Sequence, residues 1–316
     1  MIRFYKKEGN DLTLITASEK NCWVNIAPPF NMEELERLAK QLNAPYDYII
    51  DCIDQYERSR YEKQVNAKLI VINTPILNEG FDVEDEATYI TIPVGIILTE
   101  EVIITVCSVN NPTIEWFEKN VLKNIELNNK NLFIIRIFER NVYYFLHYLR
   151  EINKRISQIE KELNYSSRNQ ELNKLLRLQK ALIYFVNDLR ANELVLVKIQ
   201  RNNFLELQDD PTARELLDDV IIDNSQAVEM ANVYSNILGN MMGAFGSIIS
   251  NNLGHVVNRL TAVTIALMLP TLVAGVYGMN VDLPFQHHKH AFTIVVVISV
   301  LVTISFVIYF RRKRWL

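Results

Sequence analysis

The sequence predicts an α+β membrane protein: an N-terminal α/β domain, a long helical stalk and two C-terminal transmembrane helices. Three observations predict it. No charged side chain occurs between Arg259 and Asp282, nor from Ala291 to Phe310. Each stretch can cross a bilayer, whose hydrocarbon core of about 30 Å takes roughly 20 helical residues. From residue 131 glycine is absent until Gly239, and Pro211 is the only proline between Pro112 and Pro270, as long unbroken helices require. Before residue 130, short apolar runs alternate with amphipathic ones.

Residues 1–130 read as a cytosolic α/β domain. Trp23-Val24-Asn25-Ile26 is a strand, and Met32, Leu35, Leu38 and Leu42 sit at helical spacing within 31–42. Residues 69–72, 94–98 and 102–106 are buried-strand candidates, the last two joined by Thr99-Glu100-Glu101. Cys22, Cys52 and Cys107 stand singly, without CxxC spacing, as reduced thiols do in cytosol. A net charge of −4 gives no sign of nucleic acid as a partner.

Residues 131–208 read as antiparallel cytosolic helices. Leu146, Leu149, Ile152, Ile156, Ile159 and Leu163 form the stripe of the first, Asn164 to Arg168 a turn, and Leu172 to Leu207 the second. Asp209-Asp210-Pro211 then opens a helix with an acidic cap and a first-turn proline. No break follows before the membrane is crossed. The stalk, 209–259, is continuous with the first span, and a helix from Pro211 to Tyr277 is on the order of 100 Å long. Such a rod cannot bury its apolar face alone, so further copies of the chain are expected beside it. Gly239, Gly243, Gly246 and Gly254 fit either close helix packing or a bend that accompanies opening.

The first transmembrane helix, 260–280, has two unlike faces. Val257, Leu260 or Thr261, Thr264, Met268, Thr271 and Gly275 share one, mixing apolar and small hydroxyl residues as a pore wall does. Ile265, Leu269 and Leu272 make the other purely apolar. Pro270 removes one backbone bond and says little by itself. The triplet Gly278-Met279-Asn280 ends this span and opens a short external loop, 281–290. The second span, 291–310, has no polar stripe and reads as a lipid-facing helix outside the first. The tail, 311–316, holds Arg311, Arg312, Lys313 and Arg314, which places it in the cytoplasm. With two spans the N-terminus is cytoplasmic too, and MIRFYKKEGN carries no signal peptide.

At this point the residues match a family. The run Met268-Leu269-Pro270-Thr271-Leu272-Val273-Ala274-Gly275-Val276-Tyr277-Gly278-Met279-Asn280, followed by a short loop, a second span and RRKRWL, resembles the CorA magnesium transporter family. Residues 250–253 and 217–226 also resemble its stalk. The likeness is close over 205–316 and covers the N-terminal part in size and pattern. It implies a homopentamer whose long helices form a funnel and then a pore. It also implies that the Gly278 carbonyl and the Asn280 amide hold a hydrated Mg²⁺, an ion that gives up water reluctantly. Tyr277 would brace the loop, and Met268, Leu260 and Val257 would form hydrophobic constrictions.

The resemblance further implies a cytosolic Mg²⁺ sensor between subunits. Asp218, Asp219 and Asp223 would face Asp82, Glu84, Asp85 or Glu86 of a neighbour; the plain alternative is a solvated acidic helix start and loop. Mg²⁺ is thus both cargo and regulator, with Co²⁺ and Ni²⁺ as further cargo and no covalent cofactor. Two features depart from the pattern. The loop lacks the glutamate that several relatives carry a few positions after Asn280, a role that Asp282 either takes over or does not, and His287, His288 and His290 cluster in the outer loop. Those imidazoles suit a transition metal or are simply solvated. Zn²⁺ transport on the same scaffold is the alternative function, and a pore-free membrane anchor a third reading. Enzyme classes find no support: Walker, dinucleotide, HExxH and GxSxG patterns are missing, and His147 and His255 are isolated. His147 reads as a packing residue.

Overall fold

A computed structural model of the chain describes residues 1–8, 11–78, 87–119, 127, 129–165, 169–279, 284 and 289–312. It contains strands β1 (Ile2–Glu8), β2 (Asp11–Ile15), β3 (Trp23–Ile26), β4 (Arg60–Lys63), β5 (Ala67–Leu77), β6 (Tyr89–Thr99) and β7 (Ile103–Cys107). The helices are α1 (Met32–Gln41), α2 (Tyr46–Ile53), α3 (Pro112–Lys119), α4 (Lys130–Tyr165), α5 (Asn169–Arg201), α6 (Pro211–Tyr277) and α7 (Ala291–Arg312). Two compact units, Met1–Asn240 and Met241–Leu316, meet inside α6.

The strands form one sheet in the order β2-β1-β3-β7-β6-β5-β4. Only β3 and β7 pair in parallel; the other neighbours are antiparallel. Because side chains alternate across a strand, each central strand feeds two cores. Val24, Leu69, Val71, Ile104 and Val106 pack with Leu35 and Leu38 of α1 and with Ile49 and Cys52 of α2. Trp23, Ile70, Ile72, Ile96 and Ile103 pack with Phe117 of α3, Phe133 and Phe138 of α4, Ile199 of α5 and Leu217 of α6. Burial on both faces is why these strands read as continuous apolar runs. Gly95 in β6 is the point of closest approach: a Cβ there would stand 1.9 Å from the Cys52 sulfur.

Two polar clusters lie within this unit. Glu118 accepts from Arg3 Nη1 at 2.9 Å, Tyr5 Oη at 2.7 Å and Asn25 Nδ2 at 2.8 Å. Asp188 on α5 accepts from Asn73 Nδ2 at 2.8 Å and from the Thr91 hydroxyl, tying α5 to β5 and β6. Asn192, one turn on, accepts from the Asn73 N–H at 2.9 Å and donates to its carbonyl at 2.7 Å. Burial pushes the Asp188 carboxyl up, against the hydrogen bonds from Thr91 and Asn73.

The structure departs from the expectations at the end of α5 and at His147. α5 stops at Arg201 rather than Leu207, because the chain turns left-handed at Asn203 (φ 47°). His147 is exposed, its ring parallel to that of Tyr143 at 6.2 Å, so it is a surface residue and not a packing one. All three cysteines are free and buried.

Candidate ion pathway and sensor residues

α6 starts as its sequence requires. Asp210 Oδ1 accepts the Ala213 N–H at 3.0 Å, satisfying a first-turn donor that has no partner within the helix. That bond, with one from Asn129, holds the Asp210 carboxyl below its usual range. The helix then runs 67 residues without a break, through Pro270.

Within Met241–Leu316 the membrane half of α6 has a covered and an open side. Ala262 is buried and Ile265, Ala266, Leu269, Pro270, Val273 and Tyr277 are half-buried, recurring every three or four residues as one face of a helix does. α7 stands on this side: Pro270, Ala274 and Tyr277 share a cavity of ≈ 700 Å³ with Phe292, Val295 and Ser299. Ser299 is itself buried, its hydroxyl donating to the Val295 carbonyl at 2.9 Å.

The open side carries the expected pore row. Val257, Leu260 and Met268 are 52%, 66% and 63% exposed, and Thr264, Thr271 and Gly275 are exposed with them. At 3.6 residues per turn this row lies across the helix from the covered one. Thr264, Met268, Thr271 and Gly275 border a groove of ≈ 730 Å³. Leu272, expected on the apolar back with Ile265 and Leu269, is 66% exposed and flanks the open side instead. The Thr261, Thr264 and Thr271 hydroxyls donate to the carbonyls of Val257, Leu260 and Leu267 at 2.9, 2.9 and 3.1 Å. Sequence reasoning placed these threonines without that geometry, although the signal was there in the habit of helical Ser and Thr of bonding back one turn.

The triplet begins where the helix ends. The Gly278 N–H donates to the Ala274 carbonyl at 2.9 Å and that of Met279 to Val276 at 3.2 Å. A Cβ on Gly278 would press to 3.3 Å from the Ala274 oxygen, which favours glycine there. The Tyr277 hydroxyl donates to the Pro284 carbonyl at 3.3 Å, tying helix to loop. Met279 is exposed. Asn280, Asp282, His287 and His288 lie outside the described residues, as do Asp82, Glu84, Asp85 and Glu86. His290 is described, just before α7, its carbonyl accepting the Ile294 N–H at 3.1 Å.

On the stalk, Asp218 is half-buried and accepts from Gln200 Nε2. Asp219 and Asp223 are exposed, one turn apart. Among the described residues no three His, Cys, Asp or Glu side chains gather as metal ligands. Gly239, Gly243, Gly246 and Gly254 face open space: among the described residues, apart from the adjoining turns of α6 itself, nothing lies within 4 Å of an added Cβ. Packing inside one chain therefore does not require them.

A sequence profile for the family described as CorA-like Mg²⁺ transporter protein matches residues 18–312. The cobalt/magnesium transport protein CorA of Methanocaldococcus jannaschii is 27% identical over 308 residues, 93% of this chain and 91% of that protein. The complete structure of the CorA magnesium transporter from the same organism superimposes with a TM-score of 0.82 at 22% identity, covering 100% of this chain and 99% of that one. The ZntB cytoplasmic domain from Vibrio parahaemolyticus shares the fold of its part, with a TM-score of 0.61 at 14% identity over 79% of this chain and 96% of that domain. With two apolar membrane-length helices and a family match along nearly its whole length, this chain belongs to the CorA-like Mg²⁺ transporter proteins, which are transporters and not enzymes.

Proposed function

We propose that the chain assembles with copies of itself, five by the family resemblance, into a membrane pore that admits Mg²⁺ down its electrochemical gradient. Co²⁺ and Ni²⁺ are further cargo, and both termini face the cytoplasm. The observation that carries this is the open side of α6. Val257, Leu260, Thr264, Met268 and Thr271 stay exposed on the face turned from α7 and lead to Gly278. Five such faces around an axis would give apolar rings able to dewet and close, spaced by hydroxyl oxygens. Gly278, Met279 and Asn280 would ring the outer mouth, where carbonyl and amide oxygens grip the hydration shell of an ion too costly to strip. The bond from Tyr277 to Pro284 supports that mouth from within each chain.

Regulation would sit on the stalk. Asp219 and Asp223, exposed and one turn apart, suit an ion that keeps most of its water and takes one or two carboxylates. Asp218, held by Gln200, would add charge, and Asp82 and Asp85 of a neighbouring copy would complete the site.

The test is Mg²⁺ uptake into proteoliposomes, wild type against Asn280→Ala. Lost uptake with assembly intact is expected; undiminished uptake would refute the filter. Zn²⁺ entry with Mg²⁺ neither entering nor competing would replace Mg²⁺ by Zn²⁺ as the cargo.

A further inference from the structure

The corner between α5 and α6 is held in a conformation that its residues do not favour. α5 closes on the left-handed Asn203: the Phe204 N–H donates to Ile199 at 2.9 Å and that of Asn203 to Gln200 at 3.1 Å. Asparagine tolerates this backbone. Three residues on, Glu206 is left-handed too, at φ 56° and ψ 48°, where the Cβ of an ordinary residue crowds the next carbonyl. An outlier of this kind persists where its surroundings over-determine it.

Those surroundings are specific. Lys68 of β5, its side chain 17% exposed, donates to the Phe204 carbonyl at 2.9 Å and to Glu206 Oε1 at 2.8 Å. Lys63 of β4 stands 3.5 Å from the same oxygen. Asn131 of α4 donates to the Leu205 carbonyl at 2.7 Å, and Asn129 to Asp210 Oδ2 at 2.7 Å. The ring of Tyr61 meets Phe204 edge-on at 4.8 Å. Sheet and α4 thus grip the segment immediately before Pro211.

We propose that Lys68 is a positioning residue for transport, fixing the first turn of α6 to the sheet so that rearrangement among the cytosolic domains passes into the pore helix. The proposal rests on the reading of α6 as pore wall and of the stalk as metal sensor. Lys68 is suited to the task because it joins three parts: its own strand, a carbonyl at the end of α5, and the strained residue before α6. The α5 cap and the Tyr61 and Asn131 contacts do not involve it. Its loss should therefore free the corner without unfolding the domain.

The test uses the full chain in proteoliposomes loaded with a series of internal Mg²⁺ concentrations, with Mg²⁺ uptake as readout. Lys68→Met keeps the stem and removes the donors. Glu206→Gly keeps the left-handed backbone and removes the carboxylate. Each should shift the internal Mg²⁺ that halves uptake by about fivefold or more, the lower range of coupling between sites. Lys68→Arg should restore wild-type behaviour, and thermal melting should stay close to wild type in all three. A half-point unmoved in both Lys68→Met and Glu206→Gly, beside a responsive wild type, would overturn the proposal alone. So would a shift that arginine does not correct. A wild type indifferent to internal Mg²⁺ would overturn the sensor reading and the proposal together.

Discussion

Gly95→Ala is expected to loosen α2 from the sheet. Gly95 lies in mid-strand, paired with Val71 of β5 on one side and Val106 of β7 on the other. The new Cβ would stand 1.9 Å from the Cys52 sulfur and 2.6 Å from its Cβ. Carbon contacts settle near 3.5–4.0 Å, so something must retreat by about 1.5–2 Å. Two ladders hold the strand, which leaves α2 to move. Its retreat draws Tyr48 and Ile49, both buried, out of contact. Overpacking typically costs about 1–3 kcal/mol, and this site belongs at or beyond the upper end. Thermal unfolding of the full chain in detergent, followed by circular dichroism, measures it. Cys52→Gly removes both clashing atoms, so adding Gly95→Ala to it should cost little more, a coupling that a double-mutant cycle isolates. Cys52→Ala leaves the 2.6 Å clash and should rescue only in part. A Gly95→Ala variant that melts with wild type, or one that Cys52→Gly fails to suppress, would refute the packing argument.

Asp188→Asn is expected to change the pH dependence of stability. Burial raises the folded Asp188 carboxyl above its ordinary value of 3.8, so the folded state binds the extra proton and stability falls as pH rises from the unfolded to the folded value. The asparagine variant should lack that decline, and its melting temperature should gain on wild type from about pH 4 upward; the opposite trend would refute the sign. Glu118→Ala removes the acceptor shared by Arg3, Tyr5 and Asn25. The loss should be about 2 kcal/mol by denaturant unfolding, held down because Arg3 is 40% exposed and can turn to water. Tyr5, pushed up to about 12 by burial and by Glu118, should then titrate lower in an ultraviolet absorbance titration. Tyr277→Phe deletes one long bond to Pro284; melting should move little, while the external Mg²⁺ needed for half-maximal uptake rises a few-fold, about 1 kcal/mol at most.

The architecture was largely legible where one physical signal dominated. β3 coincides with the expected strand, and α4 and α5 are long helices as the absence of glycine and proline from 131 to 201 implied, while α6 runs on through its glycines and Pro270. β5 and β6 are longer than their apolar cores suggested, because each continues through a proline that ordinarily argues against a strand. Pro75 lies past the end of β4 and Pro93 past the end of β7, so each missing N–H falls at an edge without a partner strand. The hairpin of β1 and β2 escaped notice since Lys6, Lys7 and Glu8 interrupt its alternation. The end of α5 was misplaced because Asn203, a good left-handed cap, follows Asn202 in a run that reads as helix on either side. In the membrane half of α6, the open face was readable from its period. The bond from Tyr277 to Pro284 was expected only through the family resemblance, and the link from Lys68 to Glu206 joins positions that no local pattern connects.

The threonines on α6 have each handed their single proton to the turn below, and what they hold out to a passing solute is lone pairs alone. A dissolved cation turns the hydrogens of its waters outward, and a dissolved anion turns the oxygens. If this face lines a pore as proposed, such a wall would welcome one sign and leave the other without company, though no residue in it bears a charge.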